Sequence, residues 1–204
     1  MMKLYDGGKA PNPRRVRIFL AEKGIEVPLE PVNMAAMGHR DERIAAMNPL
    51  KRLPVLELDD GTAISETIAI CRYFEALHPD PPLFGTGAVG TALVEMWQRR
   101  IEMHLLLPVA NVFRHTHPAM KEWEVPQIAE FAEANRPKVH EQLVWLNDEL
   151  AEREWIAGDA FTVADITGLI ACDFMKPARL TIPDELTNLR RWYESCRARP
   201  SYDA

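Results

Sequence analysis

The residues best suited to chemistry lie in one stretch, Asn48–Ile70, reading NPLKRLPVLELDDGTAISETIAI. Proline has no N–H to give a sheet ladder, so Pro54 opens the strand Val55–Leu58 or sits in a turn just before it. A cis bond at Leu53-Pro54 turns the chain sharply and leaves the N–H and C=O of Leu53 facing outward. An extended peptide can add itself as a strand to backbone exposed in this way. Asp59-Asp60-Gly61 is a hairpin signal. Thr62–Ile64 pairs back, and Ser65-Glu66-Thr67 opens a helix. A helix N-terminus carries unpaired N–H groups and a partial positive charge, and it holds a carboxylate well. Two recognition devices thus lie a few residues apart, both suited to a small peptide with a free carboxylate. The plain alternative is a hairpin followed by an ordinary capped helix.

Other reactive side chains are sparse. Cys71, Cys172 and Cys196 are odd in number and far apart, with no CxxC pair. That argues against a disulfide framework or a zinc ribbon and suits a reducing cytoplasm. Cys71 falls among apolar helix positions and reads as a buried small residue; the other two read the same way. His115 and His117 form a His-x-His pair, with His104 earlier, but no third ligand lies near them and no metal is expected.

These residues need a frame. Lys3–Tyr5 is a short first strand, followed by a loop through Gly7-Gly8 and Pro11-Asn12-Pro13. Arg14–Lys23 is a helix, with Asn12 as N-cap, Pro13 at its first position and Gly24 as its stop. Val27–Val32 is a second strand, and Asp41–Met47 is one weak helix. After the hairpin comes a helix over Ser65–Leu77. The order β-α-β-α-β-β-α is a small α/β unit with helices covering a mixed sheet.

His78–Gly90, HPDPPLFGTGAVG, is dense in proline and glycine and marks a boundary. The spacing predicts a domain over 1–79, a linker over 80–87 and an all-helical domain over 88–204. In the latter, Thr91–Phe113 is a long helix with Leu93, Met96, Met103 and Leu107 on one stripe, kinked at Pro108. Pro126–Arg153 is a second helix whose buried face is Ile128, Phe131, Val139, Leu143, Leu146 and Leu150. Thr162-Val163-Ala164-Asp165 is a capping box for a helix ending near Met175. Leu186–Arg199 is a final amphipathic helix.

The chain has 204 residues, is 47% hydrophobic and carries a net charge of −6. That is enough for one large or two small cores. The mild, mixed acidity disfavours nucleic acid and anionic membrane as partners. No apolar run approaches a membrane span, and MMKLYDGG lacks the apolar core of a signal peptide.

A small α/β domain, a proline-rich linker and a helical domain with these motifs resemble the cytosolic glutathione S-transferases over essentially the whole chain. NPLKRLPVL is similar to the family's Asn-Pro-x-x-x-(Val/Leu)-Pro run, whose proline is cis. ISETIAI resembles the (Glu/Asp)-Ser motif that binds the γ-glutamyl end of glutathione, with Thr67 in the serine place. GDAFTVADI resembles the family's capping box. Within the family, PNPRRVRIFLAEKGI, LPVLELDDGT and FRHTHP most resemble the Gtt2-like transferases of yeast and bacteria.

The resemblance implies a thioredoxin-like N-terminal domain and an all-α C-terminal domain. It implies glutathione as co-substrate, a small hydrophobic electrophile, a homodimer and a cytoplasmic location. Leu53, before Pro54, should pair its backbone with the cysteinyl part of glutathione. Glu66 should meet the α-amino group and Thr67 the α-carboxylate. Arg52 takes the place of a Gln or Lys beside the glycyl end, and His39 lies in the region that reaches the same carboxylate; for both, the alternative is a solvated loop. Lys51 departs from the glycine often found at its place.

The chemistry so implied is thiolate attack on an electrophile, with peroxide reduction also allowed. A free thiol titrates at about 8.5. Lowering that by about two units needs roughly 2.7 kcal/mol of preference for the anion. Relatives supply a Ser, Tyr or Cys after the first strand; here Ala10 occupies that place, which argues against a cysteine-based thiol transferase. Asn12 is the nearest remaining donor, its alternative role being the helix cap; Tyr5 is too early in the loop and reads as a packed strand residue. In Gtt2-like enzymes the resemblance points to a Ser and a His holding a water. Ala110 and Arg114 stand at those places, with Asn111 and His115 adjacent. Arg114 would stabilise an anion directly, while Asn111 or His115 would hold a water. Trp97, Phe113, Met120 and Trp123 are candidates to line the electrophile site, with core or surface as the alternative for each. A glutathione-binding stress or regulatory protein with little catalysis is the rival that the missing hydroxyl favours. A zeta-type isomerase would need a serine-rich loop that GGKAPNP does not provide.

Overall fold

The computed structural model describes every residue from Met1 to Ala204 and divides into two compact units. The first comprises Met1–Pro82 together with Pro200–Ala204, and the second Leu83–Arg199.

In the first unit β1 (Lys3–Asp6), β2 (Leu29–Pro31), β3 (Val55–Glu57) and β4 (Ala63–Ser65) form one sheet in the order β2-β1-β3-β4. β1 and β2 run parallel; β3 is antiparallel to both β1 and β4, with Tyr5 opposite Val55 and Val55 opposite Ser65. The second strand is shorter than the expected Val27–Val32, because only Leu29–Pro31 pair with β1. Helices α1 (Pro11–Lys23), α2 (Glu42–Met47) and α3 (Thr67–Leu77) complete the unit. Leu4, Val16, Phe19, Val55, Leu56, Ile70 and Phe74 make its core. Gly24 ends α1 in the left-handed region at φ 63°, a conformation that glycine adopts without a Cβ clash.

The start of α1 corrects the sequence reading. The helix begins at Pro11 with Ala10 as N-cap, so Asn12 lies inside the first turn. Two prolines, Pro11 and Pro13, fit there because first-turn N–H groups have no intrahelical acceptor anyway. The other end of α1 is tied down by the buried Lys23 ammonium, which meets Glu75 and donates to the carbonyls of His78 and Pro81. The last five residues return to this unit: Ser201 bonds Glu22, and Arg14 donates to the carbonyl of Tyr202 at 2.9 Å.

The second unit is helical: α4 (Gly87–Ile101), α5 (Leu107–Thr116), α6 (Ala129–Glu149), α7 (Val163–Met175) and α8 (Thr187–Arg197). Between α4 and α5 the chain makes a π turn over Glu102–Leu106. Pro108 follows at once; its ring would clash with the carbonyl of His104 in a regular helix, and the wider turn relieves that clash. A π turn carries an extra residue and rotates everything after it. The expected stripe is wrong from Leu93 onward, before this turn as well as after it. Leu93, Met103 and Leu107 are 45%, 47% and 44% exposed, while Val94, Trp97, Ile101, Leu105, Val109 and Val112 are buried. On α6, Val139, Leu143 and Leu146 are buried as expected, with Leu150 just past its end, but Ile128 and Phe131 are exposed. Their inward places are taken by Ala132 and Asn135. The capping box at Thr162 forms as expected.

Candidate functional site

The recognition edge of the first unit is built by the turn from α2 into β3. The Leu53-Pro54 peptide is cis. The sheet ladder begins only at Val55, so the backbone of Leu53 takes no part in it. The Leu53 side chain is buried with Tyr5, Ile44 and Val55, which anchors this edge from beneath. Lys51, before it, sits in the left-handed region at φ 53°. A family glycine at that place is now intelligible, since a Cβ costs about 1–2 kcal/mol there.

Glu66 is the N-cap of α3 and holds φ 71°, ψ 121° without a side-chain cap bond. L-residues enter that region at a cost of about 1–3 kcal/mol, and such strain gathers at ligand sites. The strained residue turns the chain sharply from β4 into the helix. The Ile70 N–H closes the first turn on the Glu66 carbonyl at 3.0 Å. The amides of Thr67, Ile68 and Ala69 therefore face the helix start with no intrahelical acceptor. Thr67 is buried.

His39, in the turn Gly38–Arg40, is 1% exposed, so the solvated-loop alternative fails for it. Burial first, then the charges of Arg40 and Arg52, lowers its pKa. Arg52 is thus close enough for its charge to be felt at His39, and it is itself exposed. Arg52 supplies the positive charge at this corner beside Leu53, and His39, its pKa lowered, supplies a neutral imidazole.

The loop after β1, Gly7–Ala10, is shaped by Asp6. Its carboxylate accepts the Gly8 N–H at 2.8 Å and pairs with Arg17, which also donates to the Gly8 carbonyl. Ala10 N–H closes on Gly7, and Arg14 N–H on Ala10. With Pro11 and Pro13 lacking an N–H, the amide of Asn12 alone remains at the start of α1. Asn12 Oδ1 accepts from Arg15 at 3.3 Å, which leaves its Nδ2 end to donate. Tyr5 is excluded from thiol chemistry: its hydroxyl donates to Glu57 at 2.6 Å, and burial together with that bond pushes its pKa up to about 12. All three cysteines are buried, and burial pushes the Cys71 thiol up to about 12, so none is an activated nucleophile.

In the second unit Asn111, Arg114 and His115 share α5. Asn111 lines a cavity of about 380 Å³ with Met103, His104, Leu107, Phe131 and Lys138. It also faces Asn135, at 3.4 Å. His115 is committed locally: Nδ1 accepts the Ile128 N–H at 3.0 Å, Nε2 lies 3.7 Å from Glu124, and Phe131 meets the ring edge-on. His117 likewise accepts from Ala119 and stacks on Phe113. Arg114 lies one turn beyond Ala110 on the same face of α5. Among the other candidates for the electrophile site, Trp97 is buried and stacked on Trp145. No group of three or more metal-ligating side chains comes together.

Sequence reasoning missed the cavity wall of Met103, Leu107 and Phe131, having assigned these residues to the core. The signal that could have found it was Pro108 directly after a second apolar stripe.

Residues 10–77 match the glutathione S-transferase N-terminal domain and residues 105–200 the C-terminal domain of the same family. The chain is 37% identical over 203 residues to glutathione S-transferase 2 of Saccharomyces cerevisiae, covering 98% of this chain and 87% of that protein. Among solved structures it superposes on a glutathione S-transferase domain-containing protein of Marinobacter aquaeolei with TM-score 0.94 and 38% identity, covering 98% of this chain and 99% of that one. Gtt2 of Saccharomyces cerevisiae superposes with TM-score 0.93 and 36% identity, covering 98% of each chain.

Proposed function

The chain belongs to the glutathione S-transferase family and is a glutathione transferase; from that premise we propose how its residues do the work. Glutathione lies along the Leu53–Pro54 edge, its cysteinyl backbone paired with Leu53. Its γ-glutamyl carboxylate sits on Thr67 and the start of α3, and Glu66 meets the α-amino group. His39 and Arg52 receive the glycyl carboxylate. The observation that carries this reading is the strained Glu66 beside a Leu53 backbone that the sheet leaves out of its ladder.

The reaction is nucleophilic substitution by the thiolate at an electrophilic carbon. The sulfur lone pair forms the C–S bond, the leaving group departs with its bonding electrons, and the thiol proton passes to water. Asn12, through its Nδ2 and its main-chain N–H, stabilises the thiolate in place of the missing hydroxyl. Arg114 adds positive charge, and Asn111 holds a water for the proton; His115, both of whose ring nitrogens face Ile128 and Glu124, does not take that role. Met103, Leu107 and Phe131 offer apolar contacts to a small hydrophobic electrophile, in a cavity whose other lining, Asn135, Lys138 and Glu141 among it, is mostly polar. Peroxide reduction would use the same thiolate: two glutathiones are oxidised to their disulfide while the O–O bond breaks, and their two protons leave on the alcohol and water formed. A homodimer in the cytoplasm is part of the reading, supported by the family and, for the location, by three buried cysteines that form no disulfide.

The test is conjugation of glutathione to a chloronitrobenzene, run beside a glutathione-affinity column, with thiolate absorbance titrated in the wild type, Asn12→Ala and Arg114→Ala. Turnover with a raised apparent thiol pKa in a variant supports that residue's role. An unchanged pKa removes the residue from the mechanism, and retention without turnover supports the glutathione-binding rival.

A further inference from the structure

Asn48 stands where α2 ends and is 3% exposed. Both ends of its side-chain amide are used. Oδ1 accepts the Leu50 N–H at 3.1 Å, and Nδ2 donates to the Arg52 carbonyl at 2.9 Å. Its main chain is tied as well: its N–H reaches the Ile44 carbonyl and its carbonyl accepts the Lys51 N–H, both at 2.8 Å. One buried side chain therefore joins the end of α2 to the turn that delivers Leu53.

The Arg52 carbonyl and the Leu53 N–H belong to one planar peptide group. That peptide is trans, so the two groups point in opposite directions. Holding the carbonyl toward the buried Asn48 aims the Leu53 N–H the other way. We propose that Asn48 is a positioning residue for glutathione binding, which fixes the Arg52–Leu53 peptide plane so that the Leu53 N–H is presented to the cysteinyl carbonyl. The proposal rests on the reading of Leu53 as the backbone partner of glutathione.

Asn48 acts before any bond to sulfur changes, so its loss affects binding and not the chemical step. Asn48→Asp keeps the acceptor for Leu50 and loses the donor to Arg52. Asn48→Ala loses both. Each should raise KM for glutathione roughly three- to tenfold, the worth of one hydrogen bond, with kcat and the KM for the electrophile unchanged. The amide resonance of Leu53 in nitrogen-labelled wild-type protein should shift on saturation with glutathione, and reach its end point only at higher concentrations in the variants. If the wild-type resonance does not move, the assignment of Leu53 fails and the proposal falls with it. If it moves, yet the variants melt lower and keep the wild-type KM for glutathione, Asn48 is merely structural and the proposal alone is overturned. Should one variant not fold at the assay temperature, the other decides.

Discussion

Asp165 offers the sharpest test of the physical argument for the helical unit. Its carboxylate is fully buried and accepts from four donors: Ile156 N–H at 2.8 Å and Trp192 Nε1 at 2.9 Å on Oδ1, Thr162 N–H at 2.9 Å and Thr162 Oγ1 at 3.1 Å on Oδ2. Burial raises its pKa above the ordinary aspartate value, while those donors pull the other way. Asn at this place can keep Ile156 and Trp192 on its oxygen. Its NH2 end then faces the Thr162 N–H, and one buried donor is orphaned. That costs about 1–3 kcal/mol. Ala orphans three N–H groups, those of Ile156, Thr162 and Trp192, and costs about 3 kcal/mol or more. For a chain of this size each kcal/mol is about 2–4 °C in Tm. Asp165→Asn should then melt roughly 2–12 °C below the wild type, and Asp165→Ala lower still. Calorimetry with tryptophan fluorescence as a second probe reads both, since Trp192 sits at the site. Equal losses for the two variants, or an alanine variant within about 1 kcal/mol of wild type, would refute the donor count as the source of the stability.

Three further outcomes follow from the first unit. Thr67→Ala should weaken glutathione binding by about 1.5–3 kcal/mol, the worth of a hydrogen bond to a charged group, with little change in kcat; an unaltered affinity by titration calorimetry removes Thr67 from the site. Lys51→Gly should leave Tm unchanged or raise it by up to about 1 kcal/mol of stability, because it removes a left-handed Cβ while loosening the unfolded chain; a clear loss in thermal melts contradicts the strain. Tyr5→Phe should change the acid limb of stability. The bond from Tyr5 is the largest cause of the lowered pKa of Glu57. A depressed carboxylate pKa contributes stability above its unfolded value and loses it as pH falls through the folded value. Wild type and variant should therefore differ near neutrality and converge in acid, when melts are run downward through the ordinary glutamate range; parallel curves refute the linkage.

Much of this protein was legible in its sequence because the signals are local. The cis-proline edge, the Asp-Gly hairpin, the Gly24 stop and the Thr162–Asp165 box each depend on a few adjacent residues whose backbone preferences outweigh the rest of the chain. The family motifs add the peptide-binding roles proposed for Leu53, Glu66 and Thr67. Which apolar face of the α4–α5 segment turns inward was not local. The segment carries two apolar stripes; packing buries the one that starts at Val94, Trp97 and Ile101 and leaves Leu93, Met103 and Leu107 exposed, so that Met103 and Leu107 line a cavity. The burial of His39 and the fate of the Tyr5 hydroxyl likewise arise only when separate segments are packed. A hydrogen-bonding side chain states in the sequence what it can donate or accept; folding alone determines which partner stands within reach.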